Sequence, residues 1–349
     1  MQTEAIIISD AFDEKSQNSL KKAGQIIKDG GLVVFPTETV YGLGADATSR
    51  EAAEKIYKAK GRPSDNPLII HIHEPKEAEK YTYTTPLFYK IADAFMPGPI
   101  TVIMKAREII PKTVTAGLDT VAVRCPLHPV ARELIKSAGV PIAAPSANLS
   151  GSPSPTCFKY AYADMNGRVD MIIDGGECDV GLESTIVKIE DDGSLLLLRP
   201  GAITVEDLQT LCATVRISDA VLNALKEGQA VLSPGMKYRH YAPKTPLFLL
   251  KGDFSERLEY IKKQKGRNAL ICYDEEESAF KEIIPSDLIF RFGRKDDLQE
   301  QAKALFTLLR DADNVGADAI FATLPQSSGI GMALYNRMIR ASGYRIITL

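Results

Sequence analysis

The sequence contains no apolar run close to the roughly 20 residues that a helix needs to cross a bilayer. Its first residues, MQTEAIIIS, also lack the cationic start of a secretory signal. We therefore expect a cytoplasmic protein without a membrane partner. Cysteine is scarce and scattered, and no two cysteines form a C-x-x-C pair. This argues against a disulfide framework and a structural zinc site. The five cysteines are Cys125, Cys157, Cys178, Cys212 and Cys272.

The chain also has little net charge, −3 over 349 residues. Bulk charge therefore indicates no nucleic-acid partner, and any anion site must come from the local placement of cations. Hydrophobic residues at 45% and charged residues at 25% are typical of a folded globular protein. The length favours two domains rather than one.

Short apolar runs and helix-capping patterns alternate over the first two hundred residues. Thr48 and Glu51 resemble a capping box that opens a helix ending at Lys60, before Gly61. A second helix is predicted over 128–138, and a hairpin joins 184–189 to 195–198. These patterns predict a mixed α/β domain with parallel and antiparallel neighbours. The further predicted strands are 32–35, 68–72, 100–104, 121–124 and 142–144.

The composition of the chain changes after residue 212. Residues 215–244 contain one plausible helix, 219–226, followed by the proline-flanked segment 233–243 (SPGMKYRHYAP), which we interpret as a linker or a lid. We therefore predict domains over 1–212 and 245–349, with 213–244 between them. The second domain alternates strands with helices, which favours a smaller, largely parallel, Rossmann-like sheet. Its predicted strands are 247–250, 269–273, 288–292, 319–324 and 344–349, and its helices are 255–263, 298–309 and 332–341.

Cations are densest around the end of the first predicted helix. Lys58, Lys60 and Arg62 are followed by Ser64 and Asn66, a combination that suits a polyphosphate. The alternative is a basic helix end that complements its own macrodipole.

A second candidate follows the strand at 142–144. Small residues there let a ligand approach the backbone, and Ser146 and Asn148 offer hydrogen bonds at the carboxyl end of a strand. The alternative is an ordinary polar loop that caps the next helix.

Other motifs are weaker. Residues 42–47 (GLGADA) match a dinucleotide motif, but 36–41 separate them from the preceding strand, which disfavours a nicotinamide site. No G-x-x-x-x-G-K-[ST] loop occurs. His71 and His73 alternate on one strand, so a metal pair is conceivable, although a single contact from His71 is the better interpretation. No serine or cysteine has a paired base, so covalent catalysis is unsupported.

Several motifs, taken in order, closely resemble the YrdC-like domain and cover about the first 205 residues. They are 36–44 (PTETVYGLG), 58–63 (KAKGRP), 66–68 (NPL), 97–101 (PGPIT), 123–126 (VRCP), 144–151 (APSANLSG), 183–187 (ESTIV) and 198–201 (LRPG). The segment 233–243 and the appended α/β domain resemble the long, two-domain threonylcarbamoyl-AMP synthases. The resemblance implies a twisted, open, mixed sheet in the first domain.

It also implies a nucleotidyltransferase that joins L-threonine, bicarbonate and ATP into threonylcarbamoyl-AMP and pyrophosphate. That product feeds the threonylcarbamoyl-adenosine modification of tRNA through a separate transfer machinery, with at most weak tRNA contact. The substrate supplies the nucleophile, so the protein need only position reactants and neutralise charge. Mg²⁺ is expected with ATP, and no protein-bound zinc, other metal or nicotinamide is expected.

The resemblance assigns roles residue by residue. Thr39, His71, Arg124 and Ser184 would form the threonine pocket, with Arg124 on the carboxylate. Lys58, Lys60 and Arg62 would be catalytic through the triphosphate. ATP contacts would come from Lys58, Arg62, Asn66, Thr120, Ala144, Ser146, Asn148, Ser154, Arg199 and Tyr238, the last acting from the lid.

Two alternative functions share parts of this pattern. A tRNA or double-stranded RNA-binding module without catalysis predicts tight, salt-sensitive RNA affinity. A hydrogenase-maturation carbamoyltransferase embeds the same domain, but it needs C-x-x-C pairs and an acylphosphatase segment, which this sequence lacks.

Overall fold

The computed structural model describes residues 2–223 and 240–349, and the chain divides into two compact units. The first unit comprises Met1–Ser150, Pro155–Asp179 and Glu183–Tyr238. The second comprises Gly151–Ser154, Val180–Leu182 and Arg239–Leu349. Two short segments, Gly151–Ser154 and Val180–Leu182, are thus grouped with the second unit although they are flanked in sequence by the first.

The first unit is a mixed α/β structure built on one large sheet. Its strands are β1 (Glu4–Ile7), β2 (Val33–Phe35), β3 (Gly42–Asp46), β4 (Ile69–His71), β5 (Ile100–Lys105), β6 (Thr120–Arg124), β7 (Ile142–Ala143), β8 (Met171–Asp174), β9 (Thr185–Ile189), β10 (Leu195–Arg199) and β11 (Val215–Ile217). Its α-helices are α1 (Glu14–Lys28), α2 (Arg50–Lys60), α3 (Pro86–Phe95), α4 (Lys112–Thr115), α5 (Pro129–Ala138), α6 (Phe158–Met165) and α7 (Val205–Gln209). Short 3₁₀ helices cover Pro75–Lys80 and Asp219–Val221.

The large sheet contains eleven strands in the order β1-β8-β2-β3-β7-β4-β6-β5-β9-β10-β11. The sheet contains both parallel and antiparallel pairs of strands. For example, β4 is parallel to β6, whereas β5 is antiparallel to β6 and parallel to β9. The mixture predicted from the sequence is therefore confirmed. It brings the ends of β4 and β6 to the same edge of the sheet.

Helices α1 and α5 cover one face of this sheet. Leu20 and Ile27 of α1 and Leu134 of α5 are fully buried in a cluster with Phe35 of β2 and Ile173 of β8. Apolar residues three and four positions apart form one face of each helix, which explains why both helices pack on the strands.

The second unit has a five-stranded sheet in which every pairing is parallel, with the order β14-β13-β15-β12-β16. Its strands are β12 (Leu247–Lys251), β13 (Asn268–Cys272), β14 (Ile289–Arg291), β15 (Ala319–Thr323) and β16 (Ile346–Thr348). Its α-helices are α8 (Phe254–Lys262), α9 (Glu277–Lys281), α10 (Leu298–Asn314) and α11 (Ile330–Ala341), and 3₁₀ helices cover Asp274–Glu276 and Ser286–Leu288. The Rossmann-like prediction is confirmed.

Three local predictions need correction. Helix α2 begins one residue later than expected, because Ser49 caps it by accepting the Ala52 N–H at 3.1 Å, while the Thr48 hydroxyl bonds Asp46 at 2.7 Å. The helix expected over 219–226 is a 3₁₀ helix over Asp219–Val221, and its later residues lie outside the described chain. Strand β3 occupies the glycine-containing segment 42–46, which the sequence did not identify as a strand.

Candidate functional site

Two polar side chains meet where neighbouring parallel strands end. His71 ends β4 and Arg124 ends β6, and the two residues are register partners. Partners in adjacent strands point to the same face of a sheet. Both are almost fully buried, at 3% and 4% exposure. The carboxyl ends of strands are where open α/β sheets bind ligands, so this edge is the candidate pocket.

A buried ion pair fixes Arg124. Its Nη2 lies 2.6 Å from Oε1 of Glu38, whose Oε2 accepts the Leu127 backbone N–H at 3.1 Å. Such a pair holds together because leaving either charge alone in the interior costs several kcal/mol. The Nε of Arg124 is buried and has no hydrogen-bond partner among the described residues. The guanidinium therefore keeps a donor for a further group.

His71 is a neutral neighbour of this pair. Burial, together with the positive charge of Arg124, lowers the pKa of His71 to about 3. Its Nδ1 lies 3.3 Å from the carbonyl oxygen of Ile142 on β7. A neutral imidazole that donates from Nδ1 leaves Nε2 as an acceptor. His71 can thus accept a hydrogen bond without adding charge.

Thr39 lies in the loop between β2 and β3, next to Glu38 in sequence. It is fully buried, and its hydroxyl is 2.8 Å from the Thr37 hydroxyl. Thr37 donates its own proton to the Val40 carbonyl oxygen at 2.6 Å, so Thr39 is the donor between the two hydroxyls. The lone pairs of the Thr39 oxygen remain available.

Ser184 stands just before β9, two strands away from β6 in the sheet. Its hydroxyl lies 2.8 Å from the Thr101 hydroxyl on β5 and 3.1 Å from Nη2 of Arg199. Arg199 also donates from Nε to the Ser184 carbonyl oxygen at 2.9 Å. Val102 pairs with Val123, and continuing this register by one residue places Thr101 opposite Arg124. The structure thus brings the serine towards the arginine.

Lys60 ties the end of α2 to the loop after β7. Its ammonium is 2% exposed and donates to the carbonyl oxygens of Ser146 and Asn148, the latter at 2.6 Å, with the Asn148 side-chain oxygen at 3.4 Å. The Ser146 hydroxyl donates to that same side-chain oxygen at 2.5 Å. The lysine therefore fixes the shape of the Ser146–Asn148 loop.

Arg62 and Asn66 form the turn after α2. Nη2 of Arg62 donates to the carbonyl oxygens of Pro67 at 3.2 Å and Asn66 at 3.4 Å. Asn66 is 1% exposed, and neither polar atom of its side chain has a partner among the described residues. Leaving a buried amide unpaired costs about 1–3 kcal/mol, so this side chain is suited to meet a ligand or water.

Lys58 points elsewhere. Two residues that are two positions apart in a helix are separated by about 200° around its axis. Accordingly, Lys58 is exposed while Lys60 is buried. Lys58 lines an open cavity of about 720 Å³ together with Lys55, Arg168 and Asp170. The cation cluster of the sequence is therefore divided between two faces of α2.

The remaining predicted nucleotide contacts are dispersed. Thr120 begins β6 and so lies about 13 Å from Arg124 along that strand, at ~3.3 Å per residue. Ala144 follows β7 and donates its backbone N–H to the Ile69 carbonyl oxygen at 2.9 Å. Ser154 is buried and is grouped with the second unit, and Tyr238 lies outside the described residues.

Two pocket residues were missed from the sequence, Glu38 and Thr101. The sequence context could have identified Glu38, because it is one of only two charged residues between 31 and 47. The rest of that segment consists of apolar, hydroxyl and small residues. A lone carboxylate in such a run is either strained or paired. Thr101 had none, because a threonine in a strand is ordinary.

The alternative motifs do not assemble sites. His71 and His73 bond different carbonyl oxygens, those of Ile142 and Arg132. Among residues 2–223 and 240–349, no group of three histidine, cysteine or acidic side chains could hold a metal ion. Gly42 and Gly44 lie inside β3, where a Cβ on Gly44 would come within 2.7 Å of the Ile142 side chain. They serve strand packing rather than a strand–helix turn.

The cysteines are unpaired thiols, as predicted. Burial raises the pKa of Cys125 to about 11 and raises that of Cys178 as well, so both stay protonated. No helix in the described part of the chain is long and apolar enough to cross a membrane.

The sequence is similar to known proteins over both units. A family model described as telomere recombination matches residues 25–201, and one described as the C-terminal domain of threonylcarbamoyl-AMP synthase matches 203–343. The threonylcarbamoyl-AMP synthase of Bacillus subtilis is 40% identical over 97% of both chains. That of Pyrococcus abyssi is 40% identical over 98% of this chain and 99% of its own.

Solved structures agree. The crystal structure of P. abyssi Sua5 complexed with L-threonine is 38% identical and has a TM-score of 0.89, covering 99% of this chain and 100% of that one. The E. coli YciO structure, at 24% identity and a TM-score of 0.50, shares the fold over 57% of this chain.

Proposed function

The chain belongs to the threonylcarbamoyl-AMP synthase family, and we propose that it condenses L-threonine, bicarbonate and ATP into threonylcarbamoyl-AMP and pyrophosphate. The observation that carries this proposal is the buried guanidinium of Arg124, which keeps a donor beside neutral His71 at the carboxyl edge of the sheet. A planar guanidinium in that position suits the carboxylate of an amino acid.

The threonine half of the site would consist of Thr39, His71, Arg124 and Ser184. Threonine brings a carboxylate, an amine and a hydroxyl, and these four side chains offer a cation, a neutral ring and two hydroxyl groups within a desolvated region. Matching buried polar groups to every polar group of a ligand is what gives strong discrimination against analogues that lack one of them.

The nucleotide half would be built on the turn after α2 and the loop after β7. Asn66 offers a buried amide with unpaired atoms, and Lys60 holds Ser146 and Asn148 in place. Arg62 would supply charge to the triphosphate. We keep Lys58, Thr120, Ala144, Ser154, Arg199 and Tyr238 as proposed nucleotide contacts from the resemblance alone.

In the reaction, the threonine amine adds to bicarbonate to form a carbamate with loss of water. A carbamate oxygen then attacks the α-phosphorus of ATP, and the bond to pyrophosphate breaks. No protein nucleophile is needed, so the residues act by holding the reactants together and by offsetting negative charge.

Mg²⁺ would arrive as part of the MgATP substrate. The donor set of the site consists of cations, hydroxyls and an amide, and the nearby carboxylate of Glu38 is bound to Arg124. Such a set does not fit a resident metal ion, whereas phosphate oxygens and water are ordinary ligands of Mg²⁺.

We further propose that 1–212 is the catalytic domain, that 213–244 is a lid that shields the adenylate from water, and that 245–349 is a separate domain. The product would pass to a tRNA-modifying transferase in the cytoplasm. These assignments rest on the sequence resemblance.

The test is to incubate the purified chain with MgATP, bicarbonate and threonine without RNA, and to identify the product by mass spectrometry. We expect a threonylcarbamoyl adenylate and one pyrophosphate per product, and much less product with serine, which lacks the methyl group. No adenylate, combined with tight and salt-sensitive tRNA binding, would favour the RNA-binding module instead.

A further inference from the structure

The Glu38–Arg124 pair carries an inference about the chemistry of the pocket. The threonine carboxylate is assigned to Arg124, yet the guanidinium already has a buried carboxylate partner at 2.6 Å. Both side chains are at most 5% exposed. The pair thus neutralises its own charge inside the pocket before any ligand enters.

We propose that Glu38 is a positioning and specificity-determining residue that makes the threonine pocket accept a zwitterion and reject simple anions. This inference rests on the proposed function. Glu38 would act in two ways, by fixing the direction of the guanidinium and by offsetting its charge.

The positioning argument follows from the contacts. One oxygen of Glu38 holds Nη2 of Arg124, and the other is held by the backbone N–H of Leu127. The carboxylate is therefore anchored to the chain just after β6, and it fixes the guanidinium from one side. The unpartnered Nε of Arg124 remains for a ligand. A guanidinium held in one orientation loses less entropy when it binds a carboxylate.

The charge argument follows from burial. An unpaired buried guanidinium would attract any anion, and this reaction presents it with bicarbonate and a triphosphate as well as threonine. His71 brings no positive charge into the pocket, because burial lowers its pKa to about 3 and the ring is neutral. With Glu38 in place, the Arg124–Glu38 pair carries no net charge, so it favours a ligand that brings both a carboxylate and a positive ammonium group. Threonine does this and bicarbonate does not.

The test compares three full-length variants. Glu38→Gln keeps the shape of the side chain and removes its charge, and Glu38→Asp keeps the charge with a shorter reach. Glu276→Gln is the matched control, because Glu276 forms the other buried arginine–glutamate pair of the described chain, with Arg257 at 2.6 and 2.8 Å, in the second unit. It should lose stability as Glu38→Gln does without touching the pocket.

Two measurements separate positioning from mere stability. Calorimetry gives the threonine Kd, and a thermal shift with added sulfate and no substrate reports anion binding. We expect Glu38→Gln to raise the threonine Kd at least about tenfold and to be stabilised by sulfate more than the wild type is. Added threonine should displace this sulfate only weakly. Glu38→Asp should raise the Kd by less and show no more sulfate protection than the wild type. Wild type and Glu276→Gln should share one threonine Kd.

The outcomes are distinct. Equal threonine Kd values in Glu38→Gln and wild type, or equal sulfate protection, would overturn the proposal while leaving adenylate synthesis intact. If Glu38→Gln fails to fold, Glu38→Asp decides. Sulfate protection in that variant beyond the protection seen in the wild type would contradict the charge argument, and an unchanged threonine Kd would contradict the positioning argument. A wild type that binds threonine but forms no adenylate would refute the proposed function alone.

Discussion

Replacing Lys60 by methionine tests whether the loop after β7 depends on one buried ammonium. Lys60 is 2% exposed and bonds the backbone carbonyl oxygens of Ser146 and Asn148. Hydrogen bonds to a charged group contribute about 1.5–3 kcal/mol each, and methionine would fill the space but donate a hydrogen bond to neither acceptor. We expect the free energy of unfolding to fall by roughly 3–5 kcal/mol.

Thermal unfolding followed by circular dichroism measures this loss. At about 2–4 °C per kcal/mol for a domain near 200 residues, the Tm of the first transition should fall by roughly 6–20 °C. Binding of a non-hydrolysable ATP analogue should weaken in parallel, because Ser146 and Asn148 lose their fixed positions. Lys58→Met is the stability control, since Lys58 is exposed on the opposite side of α2. Equal Tm values for the two variants would refute the structural role of Lys60.

Three further predictions concern the pocket. Arg62→Ala should lower turnover with at most a small change in Tm, because the residue is half-buried and follows α2; wild-type turnover would remove its assigned role. Arg124→Ala should weaken threonine binding by about 2 kcal/mol or more, measured by calorimetry, and unchanged affinity would count against the carboxylate contact. His71 has a folded pKa of about 3 against an ordinary value of 6.5, so its stability contribution is complete above pH 6.5 and is lost as the pH falls towards 3. His71→Gln should therefore lose less unfolding free energy between pH 7 and pH 5 than the wild type does. Urea titrations at the two pH values measure both losses, and equal losses in the two proteins would show that the ring titrates normally.

Strands with continuous apolar runs were predictable, and those that depend on tertiary contacts were not. The apolar runs at 32–35, 68–72 and 121–124 identified β2, β4 and β6 within a residue or two. Strand β3 was missed because its glycines have low strand propensity. It forms because its backbone fits between β2 and β7, where side chains would clash.

The spatial arrangement of the proposed site residues could not be predicted from their spacing in the sequence. Lys58 and Lys60 are close in sequence, but the helix that contains them separates their side chains, and helical phase was the information needed to see it. Conversely, Glu38 and Arg124 are 86 positions apart, and only the folded sheet brings their charges together. Sequence spacing carries no information about that pairing.

The close fit of β3 limits how the two halves of the site can change. A Cβ on Gly44 would come within 2.7 Å of the Ile142 side chain on β7 and 2.8 Å of the Phe35 ring at the end of β2. The loop with Glu38 and Thr39 begins after Phe35, and the loop with Ser146 begins after Ala144. A single added methyl group at Gly44 would therefore push on the ends of both strands from which these loops begin. Amino-acid affinity and ATP affinity would then drift together, even though that methyl group would be attached to a residue with no assigned role in either.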